Sequence, residues 1–410
     1  MKHLFGLGLM GLLIVLIGCS KDSDDDPSRH ELKHGELQTM LDRVLTDYTA
    51  IYPDYPGGVA MQVISQNDSY FVSSGMEPGT SEGIHFRAAS NTKTFTATSV
   101  LLLHQQGKLD VHALITDTIP GTGMPYVPDH DDFAIPYKDQ ITILQLLQHK
   151  AGVFDVSNEF VPDTISADVP YKGLNYIEWI LEQDYSHTFT FDELLAVNAD
   201  CGLYYFEPAT GYHYSNTGYS ILGKIIERVS GMSYSDFVTS QVIEPMNLTN
   251  SSMPWQGTDL QIPEPFASGY IFMPEIINTT ESNISANVAE GNLITTPGDL
   301  AHFLRSLVRG EGVLSAATVN DLMLSPLVPP DTGTDYTCGI SYAENLGYGH
   351  SGAHEGYLSF MASDPATDFT VVVFTNTWNI VNGLMPGIGE QFELVLQESA
   401  FTAKEIVQKQ

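Results

Sequence analysis

Ser90-Asn91-Thr92-Lys93 opens an apolar run that reads as a helix. A serine and a lysine three residues apart meet on one face of a helix. A serine hydroxyl is a weak nucleophile until a base takes its proton. A lysine in a dry site can be that base, because burial lowers an ammonium pKa towards neutrality. Ser-x-x-Lys arises by chance in a chain of 410 residues, so its weight depends on partners further along.

Two such partners follow. The first is Tyr214-Ser215-Asn216. A phenol beside an activated serine can relay the proton to a leaving group. Asn216 can hydrogen-bond a substrate amide. The second is Gly349-His350-Ser351-Gly352-Ala353, just ahead of a strand that starts at Tyr357. A histidine, a hydroxyl and a close-approach glycine on an edge strand can clamp a substrate backbone by strand pairing. Three residues past Gly352 stands Glu355, which is either a solvated loop carboxylate or a site for a substrate amine.

These residues need elements to hold them. Phe95, Ala97, Val100, Leu101 and Leu103 can bury the Ser90 helix as far as Gly107, a suitable stop. Leu32 to Tyr52 reads as an amphipathic helix. Gly58 to Ile64 and Tyr70 to Ser74 read as strands around a Gln66-Asn67-Asp68 turn. Helical signals dominate the middle. Thr142 to Gln148 is one. Gly218 to Val229 is another, with Leu222, Ile225, Ile226 and Val229 on one stripe and Gly231 at its end. A third runs from Pro297 to Leu307 behind a Thr296 cap. Tyr357 to Ala362 and Phe369 to Thr375 return to strand patterning around Asp364-Pro365, and Ile388 to Leu396 closes as a helix. Strands at both ends with helices between predict one sheet built from both ends of the chain, with an inserted helical region.

Composition is that of a globular protein, with 43% hydrophobic and 16% charged residues. Seventeen basic residues stand against 50 acidic, a net charge of −33, which argues against nucleic acid and against polyanionic substrates. At the N-terminus, Lys2 precedes an apolar run from Leu4 to Ile17, and Leu16-Ile17-Gly18-Cys19 matches a bacterial lipoprotein cleavage site. Residues 1–18 are therefore expected to be a signal peptide and Cys19 the lipidated residue. Residues 19–30 are expected to be a polar, acidic tether. This predicts a lipid-anchored protein of the bacterial cell envelope, on the outer membrane and facing the periplasm or the cell surface. Cys201 and Cys338 remain, and whether they pair is open.

Ser-x-x-Lys, Tyr-Ser-Asn and His-Ser-Gly in this order resemble the serine penicillin-recognising family: DD-peptidases, class C β-lactamases and related esterases. Leu146-Leu147-Gln148-His149-Lys150-Ala151-Gly152-Val153 resembles another segment of that family. So does Ala289-Glu290-Gly291-Asn292-Leu293 with Thr296-Pro297-Gly298-Asp299-Leu300. The resemblance implies a β-lactamase/transpeptidase-like α/β (α+β) fold: an antiparallel sheet from N- and C-terminal segments with flanking helices, plus an inserted mostly helical domain. We expect residues 31–105 and 300–410 in the sheet domain and 106–299 in the insertion.

The resemblance also implies roles. Ser90 would be the nucleophile, and Lys93 with Tyr214 would share the acid–base work. Asn216, His350, Ser351 and Gly352 would contact substrate, with Glu355 as a further contact. The backbone N–H groups of Ser90 and Ala353 would form the oxyanion hole. His149 and Lys150 are read as structural. No metal and no cofactor is implied. One departure affects the substrate. Between Arg309 and Lys404 there is no Lys or Arg, whereas family members that hold a substrate carboxylate usually place a cation on this side. Only His350 stands there, unless Arg305 or Arg309 reaches in.

The expected activity is a serine acyl-enzyme hydrolase, D-alanyl-D-alanine carboxypeptidase-like or another D-amino-acid peptidase. A class C-like esterase or weak β-lactamase is the alternative. Its substrate would be a small molecule or peptide: a D-amino-acid peptide, an ester or a β-lactam. From other classes, a non-catalytic penicillin-binding-type sensor or binding lipoprotein is opposed by the intact Ser90, Lys93 and Tyr214. A purely structural surface lipoprotein has only the tether in its favour.

Overall fold

A computed structural model describes residues 27–66, 68–324 and 336–409 of the protein. The expected signal segment and Cys19 lie outside the described residues. Helix α1 (Pro27–Ile51) starts inside the stretch expected to be tether, and buries Leu37, Met40, Leu41 and Tyr48 along one stripe. The hairpin of β1 (Val59–Ser65) and β2 (Asp68–Ser74) follows. Gln66 at its turn has φ +56°, and Asn67 is outside the described residues. Strand β3 (Phe86–Arg87) leads through a tight 3-10 turn at Ala89–Asn91 into α2 (Thr92–Gln105). Residues 92–103 of α2 are all buried. Its hydroxyls tolerate this because Thr98 and Ser99 donate back to carbonyls one turn earlier and Thr94 donates to Gly339.

The middle of the chain holds α3 (Ile143–Leu147), α4 (Tyr176–Leu181), α5 (Phe191–Cys201), α6 (Asn216–Ser230) and α7 (Tyr234–Val238). Their starts are fixed by side-chain caps from Thr142, Asn175, Thr190, Ser215 and Ser233. Strands β4 (Tyr270–Phe272), β5 (Ile276–Asn278) and β6 (Ile294–Thr295) come next, followed by α8 (Pro297–Val308) behind Thr296 and the single turn α9 (Ala316–Thr318). The chain then returns to β7 (Ser341–Ala343), β8 (Gly347–His354), β9 (Tyr357–Asp364), β10 (Phe369–Thr375) and β11 (Thr377–Asn379). Helices α10 (Leu384–Gln391) and α11 (Glu398–Gln408) close it.

The main sheet runs β2-β1-β10-β9-β8-β7, and every adjacent pair is antiparallel. The β1–β10 pairing (Val59 opposite Thr375) joins the two ends of the chain, as the sequence predicts. Alternate residues of the central strands face opposite layers. Val59, Met61, Val63, Val371 and Val373 pack with α1 and α11, while Ala60, Val372, Phe374 and Met361 join the core around α2 and α8.

The middle region, expected to be mostly helical, also carries short strands: β4 pairs with β5 and lies parallel to β11 in a small second sheet, and β6 pairs with β3. The closing helix extends well past Leu396, because Ala400, Ala403, Ile406 and Val407 continue its buried stripe to Gln408. Cys201 and Cys338 are buried in different core clusters and are not paired. Among the described residues, no helix is long and apolar enough to cross a membrane.

Candidate active site

Ser90 sits in the turn between β3 and α2. Its neighbour Ala89 has φ +51°, a conformation that costs a non-glycine residue on the order of 1 kcal/mol or more. The turn is held from outside. Asn91 Nδ2 donates to the Ala88 carbonyl and to Ser359 Oγ, both at 2.8 Å, and Thr92 Oγ1 donates to the Ala89 carbonyl. Ser90 is half-buried, whereas Lys93, one turn on, is fully buried.

Lys93 Nζ lies 3.2 Å from Ser90 Oγ, 2.7 Å from Asn216 Oδ1 and 3.1 Å from the Glu290 carbonyl oxygen. Three acceptors fix its position. Burial pushes its pKa down to about 7, against the pull of Glu290 and Asp155. A neutral lysine is thus accessible at physiological pH. The Tyr214 phenol lies beside the Ser90 side chain, and Lys93 Nζ stands 4.6 Å from its ring centre. Burial holds the Tyr214 hydroxyl well above its ordinary pKa, so it keeps its proton. The serine therefore has one neighbour poised to accept a proton and one poised to give it.

Asn216 is committed within the protein. Its Oδ1 accepts from Lys93, and its Nδ2 donates to Ser157 Oγ at 3.0 Å. It orients the lysine. Any substrate contact must use what capacity Nδ2 retains.

Strand β8 forms the opposite wall. Gly352 is where it approaches the Ser90 turn. A Cβ there would lie 2.3 Å from the Ala88 carbonyl oxygen and 2.6 Å from Ser359 Oγ, so only glycine fits without a backbone shift. Ser351 and Ala353 lie on the exposed side of the strand, and His350 points inward, buried. His350 Nδ1 meets the Ser351 carbonyl oxygen at 2.6 Å, which requires a proton on Nδ1. Nε2 is then the acceptor for the Tyr336 hydroxyl at 3.0 Å. Burial and nearby Lys93 push the His350 pKa down to about 3. It is a neutral, fully engaged imidazole. Glu355 is exposed at the β8–β9 turn, where desolvation and Glu178 raise its carboxyl pKa.

Arg305 and Arg309, left open by the sequence, are both engaged. Both bind Asp368, beyond the β9 end of the β9–β10 hairpin and away from Ser90. Arg87 is buried and donates to the Leu260 and Thr280 carbonyls.

His149 is buried beside Tyr214. Its Nδ1 accepts the Ser215 amide at 3.1 Å, and its ring packs against Tyr214, Tyr219 and Tyr336. Sequence reasoning missed three polar residues behind the site. Asp155 Oδ2 accepts the Asn216 amide and Asp155 Oδ1 accepts from Ser157, which in turn receives Asn216 Nδ2. Glu290 is fully buried. One carboxyl oxygen accepts from Ser220 Oγ, and burial raises its pKa to about 8. The signal for all three was their place beside the accessory segments around His149 and Ala289. No group of acidic, histidine or cysteine side chains suited to a metal occurs among the described residues.

Residues 55–382 match the family model described as beta-lactamase. The chain belongs to the beta-lactamase family. It is 24% identical over 365 residues to penicillin-binding protein 4 of Amycolatopsis lactamdurans, covering 84% of this chain and 85% of that one. It is 25% identical over 297 residues to Protein flp of Staphylococcus aureus, covering 71% of this chain and 52% of that one. The chain spans about half the length of the first curated relatives it matches. Its fold is similar to that of the D-amino acid amidase from Ochrobactrum anthropi SV3. That likeness has a TM-score of 0.68 and 24% identity, over 92% of this chain and 99% of that one.

Proposed function

We propose that this beta-lactamase family member is a serine acyl-enzyme hydrolase for small amides and peptides of D-amino acids that carry a free amine. The carrying observation is the chemistry of the β8 wall. His350 is neutral with both nitrogens engaged, Arg305 and Arg309 are bound to Asp368, and Arg87 is buried. His350, Arg305 and Arg309 offer a substrate carboxylate no free charge, while Glu355 at the strand's end suits an ammonium. The fold likeness to a D-amino acid amidase supports the same reading.

The steps we propose use the groups gathered at Ser90. Neutral Lys93 takes the Ser90 proton as Ser90 Oγ adds to the substrate carbonyl. The oxyanion is held by the N–H groups of Ser90 and Ala353, a type of contact worth several kcal/mol. Tyr214, still protonated, gives its proton to the departing amine, and Lys93 replaces it. Water then attacks the acyl-enzyme and Lys93 takes its proton, Tyr214 gives its own proton to the departing Ser90 oxygen, and Lys93 returns the water's proton to Tyr214. A D-alanyl-D-alanine carboxypeptidase or a β-lactamase would present a carboxylate to a wall without a cation, and we place both behind the amidase.

The test compares kcat/KM for a D-aminoacyl amide, a D-Ala-D-Ala peptide with a blocked amine, a short nitrophenyl ester and a chromogenic cephalosporin. The proposal expects the D-aminoacyl amide to lead and cephalosporin turnover to be slow. A cephalosporin that outruns the other three overturns it.

We also propose that the mature chain starts at Cys19 as an outer-membrane lipoprotein of the cell envelope, on the strength of Leu16-Ile17-Gly18-Cys19 and the acidic stretch after it. Cell fractionation of wild type and Cys19→Ala tests this. Loss of membrane association in the variant is expected, and equal association of both contradicts it.

A further inference from the structure

A cavity of about 300 Å³ is lined by none of the residues gathered around Ser90. Its walls come from α5, α6, α7 and the segment before Glu290. Phe189, Phe191 and Tyr234 line it with the indole of Trp255, which is 47% exposed. Four aromatic faces around one space suit a flat ring.

Its polar groups narrow the ligand further. Lys224 is paired with Asp192, which neutralises both. The N-terminus of α5 is capped by Thr190 and already carries Asp192 and Glu193, so it recruits no anion. Two groups keep capacity for a ligand. Ser235 Oγ is buried, at the cavity wall, and has no hydrogen-bond partner. Glu227 uses one carboxyl oxygen to accept the Tyr234 amide at 3.2 Å, which leaves the other. A buried hydroxyl without a partner is costly and is satisfied when a ligand supplies one. A carboxylate beside aromatic faces favours a cation.

We propose that this cavity is a binding site for an aromatic amine, with the ring among the four aromatic side chains and the ammonium on Glu227 and Ser235. The proposal is independent of the reading of the Ser90 site. The cavity also touches the catalytic frame. Thr96 Oγ1 spends its proton on the Ala289 carbonyl, so the Tyr234 hydroxyl donates to Thr96 at 2.6 Å. The next carbonyl along, that of Glu290, holds Lys93. An occupant pressing on Tyr234 is thus two hydrogen bonds from the lysine's seat.

The experiment uses tryptamine as probe, titrated into the folded protein by calorimetry, with ¹⁹F NMR of 5-fluorotryptophan-labelled protein in parallel. A ligand of this size is expected to bind at about 0.1 to 1 mM. It should move the Trp255 resonance, assigned with Trp255→Phe, and leave those of Trp179 and Trp378 in place. Glu227→Gln, which can still accept the Tyr234 amide, should weaken binding by about tenfold. Ser235→Ala should weaken it by a smaller factor, and Glu355→Gln should leave it unchanged. Indole-3-acetate should not bind. Binding that is lost with Glu355→Gln and indifferent to Glu227→Gln would place tryptamine in the Ser90 cleft and overturn the proposal. So would no binding at about 10 mM, or indole-3-acetate binding as well as tryptamine.

Discussion

Lys93 and Glu290 meet in one buried site. The lysine Nζ donates to the glutamate's own backbone carbonyl at 3.1 Å, while the Glu290 carboxyl turns to Ser220. Burial lowers the Lys93 pKa and raises that of Glu290, so the two compete for the same proton near neutral pH. On the proposed mechanism the base is thereby tuned by a residue that has no need to touch substrate.

Activity should follow this tuning. We expect kcat/KM to rise with pH through about 7 as Lys93 loses its proton. His350, held at about 3, adds no step in the neutral range. Only the ionised fraction of Glu290 raises the lysine pKa, and Glu290 keeps most of its proton near pH 7, so Glu290→Gln should shift the rising limb to lower pH by less than about one unit. Stability carries opposite signs for the pair. Folded Lys93 sheds a proton that the unfolded chain keeps, so its contribution grows as pH rises from about 7 to its ordinary value of 10.5. Folded Glu290 keeps a proton that the unfolded chain sheds, so its contribution falls between pH 4.5 and about 8. A pH–rate profile and pH-dependent melting of both proteins check this. An unmoved limb in Glu290→Gln contradicts it.

Lys93→Ala and Tyr214→Phe should each slow acylation by on the order of 10²-fold or more, with folding intact. Single-turnover kinetics beside circular dichroism measure this. Because Tyr214 keeps its proton, its loss should be felt most with poor leaving groups such as amides and least with a nitrophenyl ester. Equal losses on both substrate classes would remove the phenol's role as proton donor.

Gly352→Ala places a methyl against the Ala88 carbonyl and Ser359. The strand or the Ser90 turn must then move. Overpacking of this kind costs roughly 1–3 kcal/mol, and misplacing the reacting groups should reduce kcat/KM by at least about tenfold. Thermal melting and steady-state kinetics give both values. Wild-type values for both would show that the strand does not abut the nucleophile turn.

Glu355→Gln should raise KM for D-aminoacyl amides by roughly tenfold and leave a neutral nitrophenyl ester unchanged, since a rim carboxylate contributes to binding an ammonium and little else. A parallel loss on both substrates would point to a structural role for the turn.

Much of this site was legible because its parts announce themselves locally. Ser90 and Lys93 share a helix face, and Tyr214 and Asn216 flank a capping serine. Gly352 stands where strand pattern and close approach coincide. The sheet was legible from the strand-like runs at the two ends of the chain. Asp155, Ser157 and Glu290 were not. Each matters only through neighbours far away in sequence, and whether a buried polar group is satisfied is decided by tertiary packing. Strands β4, β5 and β11, three residues each, are too short for an alternating pattern to register. The commitment of Asn216 to Lys93 was hidden for a related reason, since a motif names a residue but not the partner that uses up its hydrogen bonds.

The central claim is that Ser90 becomes acylated. Intact-mass spectrometry after incubation with a fluorophosphonate, and separately with a penicillin, tests it most directly in wild type and Ser90→Ala. We expect one adduct per chain with the fluorophosphonate, mapping by peptide digestion to Ser90 and absent from the variant. With penicillin we expect slow, partial labelling of the same serine. An adduct that persists in Ser90→Ala, or that maps to another residue, contradicts the account.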